Sequence, residues 1–108
     1  MIDIYYDRKH NKVTVTGHAM SAEPGKDLIC SAVSILVHTL GRCAEHISMD
    51  MMRFTKPTIE IAEGRAKIEI NPNKAMKSLT TFTMDRICEG FHMLSEQYPE
   101  NVHYEVKG

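Results

Sequence analysis

An α+β fold with the element order ββαββαβ, two helices packed on a mostly antiparallel sheet, is what the 108-residue sequence predicts. Three observations carry that prediction. Apolar and polar residues alternate with period two in five short segments. Two longer segments instead space their apolar residues by three and four. The first four strand-like segments come in adjacent pairs joined by polar stretches, the arrangement of antiparallel hairpins. Alternation in every strand further predicts one face in the core and one in water.

The first hairpin is read from Ile2, Ile4 and Tyr6 on one strand and Val13 and Val15 on the other, with the polar run DRKHNK holding the turn. A loop of small and polar residues follows from Ala19 to Lys26. Ile29, Val33, Leu36, Leu40, Cys43, Ala44 and Ile47 then trace one helical face, so the first helix is expected from about Asp27 to His46. SMDMMRFTKP has no clear period and ends on Pro57, which biases its predecessor toward extended geometry and marks a connector. Ile59 and Ile61, a turn at Glu63-Gly64, and Ala66, Ile68 and Ile70 make the second hairpin. Asn71-Pro72-Asn73 breaks it. The second helix begins at Lys74, carries its stripe on Met76, Leu79, Thr83, Ile87, Phe91, Leu94 and Tyr98, and stops at Pro99. Val102, Tyr104 and Val106 form the last strand.

Length predicts one domain over residues 1–108, able to bury roughly two-thirds of its unfolded surface. With 43% apolar and 25% charged residues, no repeat and no low-complexity tract, the chain falls in the soluble globular class. MIDIYYDRKHNK lacks the apolar core of a signal peptide, and no apolar run approaches the roughly 20 residues of a membrane helix, so a cytoplasmic location with no membrane partner is expected. A net charge of −1 gives no field to attract nucleic acid, and none is expected as a partner. Cys30, Cys43 and Cys88 are an odd set without a CxxC pair, which argues against a disulfide framework or structural zinc. They are read as reduced thiols, with Cys43 and Cys88 structural. His38, His46, His92 and His103 show no paired ligand spacing, so neither metal nor cofactor is expected. Met49, Met51 and Met52 read as core filler, an oligomer contact, or an adaptable wall near a cleft.

The stretch GHAMSAEPGKDLICSAVS, Gly17 to Ser34, carries the chemistry. A cysteine attacks as its thiolate, and an ordinary thiol titrates near 8.5. A helix beginning near Asp27 puts Cys30 in its first turn, where unpaired N–H groups and the positive end of the dipole favour an anion and can hold a substrate oxyanion. An imidazole such as His18 can take the thiol proton and later protonate a leaving amine. Asp27, Cys30 and Ser34 stand at i, i+3 and i+7, on one line beside the apolar stripe, as on a helix edging a cleft. The bland alternatives are as simple. Cys30 can be a buried inert thiol, Asp27 a helix cap, and Ser34 a binder of the i−4 carbonyl. Gly25 suits a turn needing positive φ. Gly17 suits a strand end where the backbone bends or approaches something closely.

Those eighteen residues resemble the signature of the ribosomal-processing cysteine protease family: Gly-His-Ala, a loop, Gly-x-Asp, a hydrophobic pair, Cys, and Ser four residues on. The matching positions are Gly17, His18, Ala19, Gly25, Asp27, Cys30 and Ser34, while Ser31 stands where the family is associated with alanine. The resemblance implies a small bacterial endopeptidase that removes an N-terminal extension from ribosomal large-subunit protein twenty-seven. It implies His18 and Cys30 as a catalytic dyad, a homodimer, and cleavage between an aromatic and a small residue. It also implies that Met20, Ser21, Ala22, Glu23, Pro24, Gly25 and Lys26 form a cover that closes over bound peptide. Asp27 and Ser34 are expected to support rather than react. Two other classes fit the same residues: a non-enzymatic peptide-binding or regulatory module at the ribosome, and a redox-sensing thiol at Cys30 that needs no His18.

Overall fold

The computed structural model describes residues 1–17, 26–50 and 55–108; residues 18–25 and 51–54, and the side chains of Lys26 and Asp27, lie outside it. The observed elements are β1 (Ile2–Asp7), β2 (Lys12–Thr16), α1 (Lys26–Met49), β3 (Thr58–Ala62), β4 (Arg65–Glu69), a 3-10 turn at Lys74–Met76, α2 (Lys77–Gln97) and β5 (Val102–Lys107). The expected ββαββαβ order is what the chain adopts. One five-stranded sheet runs β3-β4-β2-β1-β5. All its pairings are antiparallel except β1 with β5, which the crossover through β2, α1, the second hairpin and α2 makes parallel.

Both helices cover the face on which Ile2, Ile4, Tyr6, Val13, Val15 and Ile68 are buried. From α1 the core takes Ile29, Val33, Val37, Leu40, Ala44 and Ile47, close to the expected stripe, with Leu36 packed beside it and Cys43 only half-buried. The helix starts one residue before Asp27 and continues three residues past His46, consuming the start of the expected connector. By length and composition alone, Leu28–Met49 is apolar enough to cross a membrane, with a mean hydropathy of 1.3, contrary to the sequence reading. In the fold its apolar stripe lies on the sheet, and Ser31, His38, Arg42 and Glu45 face out.

The second helix departs further. Its first three residues form the 3-10 turn, capped by Asn73, whose Oδ1 accepts from the Met76 N–H at 2.9 Å. Its buried line is Thr80, Met84, Cys88 and Phe91. Leu79 and Tyr98, expected inside, are exposed, and Met76, Ile87 and Leu94 flank the core. Two neighbouring lines of α2 are about equally apolar, and they share Phe91. Thr80 and Cys88 hid the line that packs. The edge strands also bury less than alternation suggested, with Ile61 42% and Val106 51% exposed.

A polar clasp fastens β1 to α2. The Tyr6 hydroxyl donates to Asp85 at 2.8 Å, and Arg8 donates to both carboxylate oxygens through Nε and Nη2. Partial burial pushes the Asp85 carboxyl up, but the hydrogen bonds from Arg8 and Tyr6 and the Arg8 charge outweigh it and hold the carboxyl below its ordinary value. A carboxyl lowered in the folded state stabilises that state above the unfolded pKa, and the contribution fades as pH falls through the folded value. Asp85→Ala should therefore cost about 1–3 kcal/mol at neutral pH, chiefly by stranding the Tyr6 hydroxyl, with the deficit shrinking below about pH 4. Urea midpoints of both proteins from pH 3 to 7 measure it. Cys88, beside this clasp, is a structural thiol as expected; burial above all pushes it up to about 12. Iodoacetamide at neutral pH should leave Cys88 unlabelled until urea unfolds the chain, as peptide mass mapping would report.

Candidate active site

The site forms where β2 ends and α1 begins. Gly17 follows the last residue of β2 with φ +99°, the left-handed region that favours glycine. Its N–H donates to the Gly64 carbonyl at 2.9 Å, tying the strand end to the β3–β4 turn. A β-carbon there would stand 2.2 Å from the Met1 carbonyl oxygen. The close approach expected from sequence is thus real, and its partner is the start of β1.

Cys30 is half-buried on α1 and packs against the core. Because α1 starts at Lys26, Cys30 is its fifth residue, just past the first turn in which it was expected. The helical amides without an intrahelical acceptor are those up to Leu28, so the backbone N–H of Cys30 is not among them. Helical side chains lean toward the N-terminus, which carries the sulfur back over that first turn.

A cavity of about 150 Å³ opens beside the thiol. Cys30, Val33 and Ser34 line it from α1, Gly17 from the end of β2, and Ile61, Gly64 and Arg65 from the second hairpin. The structure therefore brings together Gly17, Cys30 and Ser34, three of the seven signature positions. Ser34 is exposed one turn along the helix from Cys30. His18, Ala19 and the loop residues from Met20 to Gly25 lie outside the described residues, as do the side chains of Asp27 and Lys26, so the expected dyad and cover are not placed here. His38 continues the line of Cys30 and Ser34 along an outer depression. It stands two turns on, about 12 Å along the axis, too far to exchange a proton with the thiol directly. Among the described residues no three His, Cys, Asp or Glu side chains gather as a metal site.

The hairpin wall is what sequence reasoning missed. Ile61, Gly64 and Arg65 stand about thirty residues beyond Cys30, and no local pattern ties them to it. Arg65 adds an exposed cation at the rim.

The sequence matches a family model described as cysteine protease Prp over residues 1–103. A crystal structure of SMU.848 from Streptococcus mutans is similar at TM-score 0.69 and 25% identity, covering 97% of this chain and 90% of that one. Two structures of the ribosomal processing protease Prp from S. aureus share the fold. One, in complex with a substrate peptide, has TM-score 0.70 at 17% identity; the other, with a covalently linked product peptide, has 0.63 at 22%. Each covers 98% of this chain and 97% of its own. No curated protein matches the chain.

Proposed function

The chain belongs to the cysteine protease Prp family, and from that premise we propose that it is a Cys-His endopeptidase removing the N-terminal extension of ribosomal large-subunit protein twenty-seven. One observation carries the reading: Gly17, the residue before His18, lines the same cavity as Cys30. His18 is the next residue in the sequence, and that connectivity supports pairing it with Cys30.

In this mechanism His18 accepts the Cys30 proton, and the thiolate attacks the carbonyl carbon of the scissile bond. The oxyanion is held by the amides at the start of α1. Collapse of the tetrahedral species breaks the C–N bond, and the His18 imidazolium protonates the departing amine. Water activated by His18 then hydrolyses the thioester and restores the thiol. Asp27 and Ser34 support this pair, by orienting His18 or by shaping the helix start. Residues 20–26 cover the bound peptide. The S. aureus relative holds a substrate peptide in one structure and a covalently linked product peptide in the other, which is the chemistry assigned here to Cys30. The working unit is a homodimer in the cytoplasm, without metal or cofactor.

The test is the mass of mature ribosomal protein twenty-seven in cells whose only copy of this chain carries Cys30→Ser. An unprocessed N-terminus supports the assignment. Normal processing in that strain removes it.

A further inference from the structure

Among the described residues β4 is the only neighbour of β3, so β3 has an open edge. Printed on β4 is the identity of the groups that edge presents. The Gly64 carbonyl accepts from Gly17, and the Ile70 N–H donates to Asn11, so even-numbered residues of this strand turn their backbone toward β2. Alternation turns Arg65, Lys67 and Glu69 toward β3, where their register partners are Ala62, Glu60 and Thr58. The backbone N–H and C=O groups of Ile59 and Ile61 are left aimed away from the sheet.

This edge runs along α1. Ile61 lines the Cys30 cavity at one end, and at the other a hollow opens between Glu45 and Met49 of α1 and Pro57 to Ile59. From Cys30 to Glu45 the helix rises about 22 Å, and the five residues of β3 span about 17 Å. Such a trough takes five or six residues of extended chain, and among the described residues nothing covers its apolar surface, with Ile61 42% and Met49 69% exposed.

The geometry points to the substrate's own backbone as the occupant, an extended peptide hydrogen-bonded to Ile59 and Ile61 along the open edge of β3 and leading into the Cys30 cavity. This rests on the peptidase reading above. Two features select a peptide chain. Donors and acceptors at alternate residues match an extended backbone, and the edge is continuous with the cavity beside the nucleophile. The site thereby reads the main chain and leaves sequence preference to the hollows at either end.

The test scans a peptide spanning the extension and first mature residues of ribosomal protein twenty-seven with single N-methyl groups, reading kcat/KM for the wild-type protein. Methylation should cost about tenfold at alternate residues on one side of the scissile bond and little between them, the loss expected for one hydrogen bond. In parallel, the Ile59 and Ile61 amides should exchange rapidly in the peptide-free protein and at least about tenfold more slowly when the Cys30→Ala variant is saturated with peptide. A parent peptide that is cleaved with no alternation overturns the edge pairing and leaves the peptidase reading standing. Amides already slow without peptide, as in a β3-to-β3 pairing of two copies, overturn it as well. A parent peptide that is not cleaved removes both.

Discussion

Cys30→Ala should lower cleavage of an extended peptide by at least about 10³-fold while moving the unfolding midpoint little. The thiol is half-buried beside a cavity, so its removal sacrifices little packing, and the stability change should stay within about 1 kcal/mol. His18→Ala should produce a loss of the same order. Because nucleophile and base act as a unit, the double variant should be no worse than either single one, and that lack of additivity distinguishes a dyad from two independent contributions. Steady-state kinetics on the four proteins, with circular dichroism to establish folding, gives the answer. Near-normal turnover by Cys30→Ala removes the nucleophile from the account. Additive losses separate His18 from it.

What was legible in the sequence follows from the range over which each signal acts. The two hairpins and the long face of α1 could be read because period-two and three-and-four spacing are local consequences of one apolar surface. The signature from Gly17 to Ser34 was legible for a related reason: its residues are close in the chain, eighteen positions from first to last. The α2 line of Thr80, Met84, Cys88 and Phe91 was obscured because a threonine and a thiol serve as core there, while the more apolar Leu79 faces water. Arg65 and Ile61 were illegible for a stronger reason. Only the pairing of β4 with β2 carries the second hairpin to the cavity, and register between strands separated by a 24-residue helix leaves no trace in either segment. The start of α1 fell between these cases. One residue's difference moved Cys30 past the unpaired amides, yet left its side chain leaning back over them.

Gly17→Ala should be among the most damaging single substitutions near the site, costing about 2–4 kcal/mol. At φ +99° an L-residue is strained by about 1–3 kcal/mol, and here the added methyl would also stand 2.2 Å from a backbone oxygen. Backbone cannot rotate aside as a side chain does, so β1 and β2 must separate or the peptide must turn. Either movement disturbs the Gly17 bond to Gly64 and the wall of the Cys30 cavity, and turnover should fall more than the unfolded fraction explains. Gly90→Ala supplies the contrast. Its β-carbon would meet the Leu36 methyls at 2.8 and 2.9 Å, but these end a flexible side chain, and the glycine lies within a helix where alanine gains about 1 kcal/mol of propensity. That variant should stay within about 1 kcal/mol of the parent with unchanged kcat/KM. Urea titrations and peptide kinetics on both proteins measure the difference, and a Gly17→Ala protein as stable and active as Gly90→Ala would show that the strand end is not what positions the site.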